Sequence, residues 1–352
     1  MISFPLKTVV IGFGKIGSGY ADDEVMARYY QYASHSQALV DHPAFDWVAV
    51  VDPAKDALNC AATRWKVPLC VEDVLMLGDA ANNIEVAIIA TPPDSRIELL
   101  DQLPALKAIL VEKPLGNTLA ASHKFLQACH DRNILVQVNL WRRADEKFRS
   151  LAKNQLQELI GESQLANGVY GNGVLNNGTH MVDFSRMLFG EIESVQAFGN
   201  CQEYRNTPIK GDLHPKFFLN MERGLSVSFQ PLDFNCYREN GLDIWGTNGR
   251  FSIYNEGLTL ACYSSEINRA MKGEKEIECD SPSYQKTTVG RSLYRMYTNL
   301  ADTLDGKDSL WSSGASALRS SAVIEAILRS NQNQELIMVD DFISEYVSAN
   351  EK

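Results

Sequence analysis

No stretch of this sequence stays apolar for anything near the roughly 18 residues of a membrane span, so no membrane-spanning helix and no membrane partner are expected. The first apolar run, Val9 to Ile11, is too short for the core of a signal peptide and leads straight into glycines, so the expected location is the cytoplasm. Cysteine pairing is missing as well. Cys60, Cys70, Cys129, Cys201, Cys236, Cys262 and Cys279 are odd in number and show no CxxC spacing. That is the pattern of reduced thiols, neither a disulfide framework nor a zinc site, and no metal is expected. Positive charge is in deficit: 33 Lys and Arg against 44 Asp and Glu give a formal net charge of −11. A nucleic-acid groove needs a basic stripe, so no nucleic-acid partner is expected, although a local Arg or Lys can still hold an anionic small molecule. Internal repeats, low-complexity blocks and long linkers are absent too. What remains is a chain of 352 residues, 45% hydrophobic and 22% charged, an ordinary globular balance with room for two domains.

The stretch from Thr8 to Gly17, TVVIGFGKIG, reads as a buried strand entering a glycine-rich turn that opens a helix. Gly12 permits the tight turn, Gly14 lets the backbone approach a pyrophosphate, and Gly17 lets the helix pack closely on the strand. N–H groups around Phe13, Lys15 and Ile16 would face the phosphates, with the positive end of the helix dipole behind them. A second apolar strand, Trp47 to Val51, ends in Asp52. A carboxylate there can accept hydrogen bonds from a ribose diol and repel a 2′-phosphate, or it is a solvated turn residue before Pro53. NAD is therefore the expected cofactor, with NADP still possible because Lys55 is near. The interval from Ser18 to His42 is longer than usual and must hold an enlarged helix or an extra loop, with Tyr29, Tyr30 and Tyr32 as an aromatic face.

Further on, helical spacing over 54–66 precedes a short strand at 67–70, and a second helix is expected over 72–77. Val86 to Ala90 is an apolar strand stopped by Thr91-Pro92-Pro93, either beside the cofactor or as a plain strand end. After a helix over 94–103, the strand Ala108 to Val111 delivers Glu112-Lys113-Pro114. An ammonium at that strand end can polarise a carbonyl or stabilise a developing alkoxide, or it is a surface charge. A Thr118-capped helix runs to Asn133, and the strand 134–140 leads to Trp141-Arg142-Arg143, either a clamp for phosphate or carboxylate or a solvated helix start. From Gly161 onward alternation suggests an antiparallel sheet, with a hairpin turning at Asn248-Gly249. A helix following the strand 163–169 places Asn176, His180 and Asp183 on one face at i, i+4 and i+7. A late amphipathic helix covers 315–330, and the polar tail beyond Asp341 is expected to be peripheral.

Taken together, GFGKIG, VVDP, IIATPP, VEKPLG, the WRR after a strand and GNGVLNNGTHMVD strongly resemble the glucose–fructose oxidoreductase / inositol dehydrogenase / MocA family over nearly the whole chain. The resemblance implies an α/β N-terminal Rossmann domain, a doubly wound parallel sheet over 1–122, and an α+β domain over 123–352 with an open, mostly antiparallel sheet. The exposed face of that sheet often forms a subunit interface in the family, so a homo-dimer or homo-tetramer is implied. It also implies an NAD(P)-dependent oxidoreductase acting on a sugar, nucleotide sugar or polyol. The family's catalytic lysine falls on Lys113 and its histidine on His180. The family commonly has an Asp four residues before that histidine, where this chain has Asn176, which can orient a hydroxyl but cannot accept a proton. Arg96 stands where many relatives have a His, as a cofactor-side contact or nothing. Cofactor contacts are expected at residues 12–17, Asp52, Thr91, Pro92, Glu112 and Lys113. Substrate contacts are expected at Trp141, Arg142, Arg143, Asn177, Asp183 and Tyr237. Asp183 either orients His180 or caps a local network. Rival readings are an imine or other non-sugar carbonyl reductase, and a non-catalytic sensor of dinucleotide and sugar.

Overall fold

The computed structural model describes residues 3–93, 96–202, 204 and 207–350. In chain order the regular elements begin with β1 (Leu6–Ile11), α1 (His35–Asp41), β2 (Phe45–Val51), α2 (Lys55–Thr63), β3 (Leu69–Val71) and β4 (Val86–Ile89). Then come α3 (Arg96–Gln102), β5 (Ala108–Val111), α4 (Leu119–Asp131), β6 (Leu135–Val138), α5 (Glu146–Ser150) and α6 (Leu156–Ile160). Next are β7 (Ser163–Tyr170), α7 (Thr179–Phe189), β8 (Ile192–Gln202), β9 (His214–Met221), β10 (Ser226–Pro231), β11 (Gly241–Gly246), β12 (Gly249–Tyr254), β13 (Thr259–Ile267), β14 (Lys275–Ile277) and β15 (Ser283–Lys286). The chain ends with α8 (Ser292–Leu304), α9 (Gly314–Asn333), β16 (Leu336–Met338) and α10 (Val339–Asn350).

Two compact units result, residues 1–144 with 289–318 and residues 145–288 with 319–352. The expected division after residue 122 falls inside α4, and α4 and β6 complete the first unit.

The first unit is built on six strands in the order β3-β2-β1-β4-β5-β6, all parallel. Its central strands are continuous apolar runs, as a sheet covered on both faces requires, and Val9, Val10, Ala87 and Ile88 are fully buried. One face packs Val9, Ala87 and Ile109 against Leu100 of α3 and Phe125 and Cys129 of α4. The other packs Val10, Val50 and Ile88 against Leu39, Ala61, and Leu293, Met296, Tyr297 and Leu300 of α8. Register places Ile11, Val51, Ile89, Val111 and Val138 side by side at the strand ends. The ladder runs one residue further, through N–H bonds from Gly12, Ala90, Glu112 and Asn139 to the neighbouring strand's last carbonyl. Gly12, Asp52, Thr91, Lys113 and the segment after Asn139 therefore emerge along one edge.

One expectation about the glycine turn changes, and of the two alternatives for the interval after it one is selected. It opens no regular helix; Ser18 and Tyr20 donate to Gly14 and Lys15, and a 3-10 turn spans Gly19–Asp22. The long interval holds an extra loop, and α1 begins only where the N–H groups of His35 and Ser36 donate to the carbonyls of Ile16 and Gly17. The inserted loop thus splits one helix, and α1 takes up the hydrogen-bond ladder where the turn left it.

The second unit carries a ten-stranded sheet, β14-β13-β12-β11-β7-β10-β9-β8-β16, with β15 paired to β13. All its pairings are antiparallel except β10 with β7. Alternation holds along β9, where Phe217, Leu219 and Met221 are buried while Lys216, Phe218 and Asn220 face the other way. The hairpin connection is Thr247-Asn248, because Gly249 already pairs with Ser264, and a Cβ there would lie 2.5 Å from the Tyr263 carbonyl oxygen. The tail beyond Asp341 belongs to α10, with Phe342 buried.

Candidate functional site

The glycine turn meets the geometry that a pyrophosphate needs. Gly12 has φ +91°, and a Cβ on it would lie 2.8–2.9 Å from Ala90 and Thr91. A Cβ on Gly17 would lie 2.8 Å from the Gly12 carbonyl oxygen, whereas one on Gly14 meets nothing within 4 Å, so the turn is tight below and open above. The carbonyls of residues 14–17 accept bonds from Ser18, Gly19, Tyr20, His35 and Ser36. Their own N–H groups have no partner among the described residues, which is the donor set an anion binds. Lys15 is exposed beside them and Ile16 half-buried.

Asp52 is tied to this turn. Its Oδ2 accepts from the Phe13 N–H at 2.6 Å and its Oδ1 from the Ala54 N–H at 2.8 Å, leaving lone pairs for a diol. Phe13 consequently does not offer its N–H outward, and its buried ring lies 5.8 Å from Trp47.

The Glu112 carboxylate is tied into the fold. Its Oε1 lies 3.0 Å from Nε2 of His35 and accepts from Nδ2 of Asn139 at 2.6 Å. Nδ1 of His35, a residue 1% exposed, is 2.8 Å from the buried Tyr297 hydroxyl. The acid thus anchors the β5 loop to the start of α1, the end of β6 and α8. No local motif marks His35, Asn139 or Tyr297, because each comes from a different segment, His35 and Asn139 reaching Glu112 directly and Tyr297 through His35.

Thr91 and Lys113 are half-buried and Pro92 is exposed. Arg96 neither points outward nor lacks a role: it is buried and donates to four backbone carbonyls, those of Thr91, Glu112, Pro114 and Leu115. Trp141 to Arg143 lie on a 3-10 turn after β6. The Arg142 guanidinium stacks 4.2 Å over Trp141 and is only 5% exposed, so it is no solvated helix start. Tyr30 of the inserted loop meets Trp141 edge-on at 6.5 Å.

In the second unit, His180 stands in the first turn of α7, directly after a π turn over Val174–Gly178 that carries Asn176 and Asn177; all three are half-buried. That turn rests on Asp212, which the sequence reading missed. Its Oδ1 and Oδ2 accept from the N–H groups of Leu175 and Asn176, both at 3.0 Å. Gly173 has φ +87°, and a Cβ on it would fall 1.9 Å from Asp212 Oδ2. Asp183 faces inward, 2% exposed; its Oδ1 accepts from Ser320 at 2.9 Å and lies 3.8 Å from Arg186, which pairs with Glu191. Asp183 thus takes part in a local buried network, the second of its two expected roles. Tyr237 is 64% exposed on the connection between β10 and β11. No group of three or more His, Cys, Asp or Glu side chains that could hold a metal occurs among the described residues. Nor is any described helix long and apolar enough to cross a membrane.

A parallel sheet ordered 3-2-1-4-5-6, with a glycine turn after its first strand and a carboxylate after its second, defines a dinucleotide-binding domain. Residues 6–140 match the oxidoreductase family with an NAD-binding Rossmann fold, and residues 161–252 match the GFO/IDH/MocA C-terminal domain. The chain belongs to the GFO/IDH/MocA oxidoreductase family. Among its relatives, an inositol 2-dehydrogenase from Acidothermus cellulolyticus is 26% identical over 65% of this chain and 69% of its own length. A trans-1,2-dihydrobenzene-1,2-diol dehydrogenase from Mus musculus is 28% identical over 34% of this chain, a match spanning only 42% of that enzyme. An Agrobacterium radiobacter oxidoreductase, solved with NAD+, L-tartaric acid and magnesium, shares the fold with a TM-score of 0.73 at 18% identity, over 96% of this chain and 99% of that one.

Proposed function

We propose that this protein is an NAD-dependent dehydrogenase that oxidises a CH–OH group of a sugar or polyol, with NADP a weaker cofactor. One observation carries the reading: the strand-end register brings the open glycine turn, Asp52 and Lys113 to a single edge of the parallel sheet. The relatives supply the substrate class, since an inositol and a dihydrodiol both present a carbinol on a ring bearing further hydroxyls.

In this reading the N–H groups of residues 14–17 hold the pyrophosphate and Asp52 the adenosine ribose. When bound, NAD supplies the hydride acceptor. The Lys113 ammonium donates a hydrogen bond to the carbinol oxygen and stabilises it as negative charge develops. A ring nitrogen of His180 takes the hydroxyl proton, a task imidazole suits near neutral pH. Asn176 orients the same hydroxyl through its amide. Thr91, Pro92, Trp141, Arg143, Asn177 and Tyr237 complete the proposed contacts. The outward face of the second sheet, where Phe198 and Phe218 stack at 4.8 Å, is the proposed face for a homo-dimer or homo-tetramer in the cytoplasm.

Nicotinamide absorbance with myo-inositol and with cyclic diols tests the chemistry. Turnover by the natural chain and its loss in Lys113→Ala and His180→Ala is the expected result. A chain that binds NAD yet reduces none of it with any polyol or sugar fits the sensor instead.

A further inference from the structure

Arg96 opens α3 just after the β4 loop and is 2% exposed. Its Nη1 donates to the carbonyls of Pro114 (2.6 Å) and Leu115 (2.9 Å), and its Nη2 to those of Thr91 (2.9 Å) and Glu112 (3.3 Å). One planar fork therefore joins the loops after β4 and β5 and grips the second on both sides of Lys113. Electrostatics does not favour the residue there. A cation at a helix N-terminus opposes the dipole, and a buried guanidinium is tolerated only where hydrogen bonds replace its water. Five donors fixed in one plane can span two loops, whereas a lysine ammonium acts as a point.

Resting on the preceding reading of Lys113, we infer that Arg96 is a positioning residue for that reaction. It fixes the backbone from which the Lys113 side chain reaches the carbinol oxygen and holds the Thr91 loop at a set distance from it. The Glu112 side chain is pinned independently by His35 and Asn139, so the peptide before Lys113 is held through both its carboxylate and its carbonyl.

The test uses the full chain as Arg96→Met, Arg96→Lys, Lys113→Met and the Arg96→Met/Lys113→Met double variant, with NAD and a polyol that the natural chain oxidises. Arg96→Met lowers kcat about 100-fold while the polyol KM and the NAD Kd stay within about 3-fold, as misplacement of one reacting group predicts. Arg96→Lys recovers only part of kcat. The double variant is no slower than Lys113→Met alone, because the guanidinium acts through the lysine. Losses that multiply in the double variant overturn the inference, as does an activity loss that merely follows the folded fraction. Amide hydrogen exchange gives a readout free of turnover: exchange at Thr91 and at Glu112, Lys113, Leu115 and Gly116 rises in Arg96→Met while the strands stay protected. Unchanged exchange overturns the clamp whatever the turnover. A natural chain inert on every polyol overturns the dehydrogenase reading, and the exchange result still decides the clamp.

Discussion

Asp52 holds the glycine turn through Phe13, and in the proposed reading the same carboxylate takes the ribose diol. Removing it as Asp52→Ala strips the turn of a charge-assisted bond of about 1.5–3 kcal/mol, so NAD binding weakens by about 10- to 100-fold in a calorimetric titration. NADP binding falls less, because the like charge that repels its 2′-phosphate leaves too; an unchanged NAD Kd would contradict the assignment. A different residue governs acid stability. Burial pushes His42 down to about 4 from 6.5, between the Thr298 hydroxyl and the Ala44 N–H. The unfolded chain takes up that proton near pH 6.5 and the folded chain only near pH 4, so the stabilisation is complete above 6.5 and is lost as pH falls through that window. Burial lowers His214 in the same sense. Scanning calorimetry from pH 7 to 4.5 is expected to show a shallower fall in Tm for His42→Gln than for the natural sequence, and equal slopes would refute the role.

At the level of elements, legibility followed how local the signal was. The central strands of the first sheet are readable because their inner residues are buried on both faces and form short continuous apolar runs. The Thr118 cap of α4 is readable because a side-chain cap acts within three residues, and Thr118 does accept from the Ala121 N–H. The split of the first helix was not readable, since its ladder resumes from Ile16 to His35 across an inserted loop. The mount of the His180 helix was hidden for the same reason: Asp212 lies 36 residues from Asn176. That mount can be broken from its own side. Gly173→Ala forces a side chain into the positive-φ region, at roughly 1–2 kcal/mol, and drives its Cβ onto the Asp212 carboxylate. A loss of at least about 2 kcal/mol in urea unfolding is expected, with reduced polyol turnover in the surviving folded protein. A variant as stable and active as the parent would show that the cap does not position the helix.

Across the whole molecule, the dinucleotide domain is discontinuous. Residues 1–122 do not close the domain, since the chain builds β6 and departs only after residue 144. It comes back at 289 to lay α8 on a face that α1 and α2 cover only in part. Leu293, Met296, Tyr297 and Leu300 are apolar at helical spacing, but nothing nearby in sequence says that their partners are Val10, Val50 and Ile88. Residues 1–144 alone therefore expose the rest of that face and leave His35 without the Tyr297 hydroxyl, so this fragment is expected to bind a hydrophobic dye and to bind NAD poorly. The remedy is short, because Asp145 Oδ2 accepts from both the N–H and the hydroxyl of Thr288 at 2.8 Å, which sets the departing and returning segments side by side. Residues 1–144 joined to 289–318 through a few glycines and serines should then unfold cooperatively, and NAD at 100 times its Kd should add about 2.7 kcal/mol to its stability. Equal NAD binding by the fragment with and without residues 289–318 would show that α8 is no part of the cofactor domain's core.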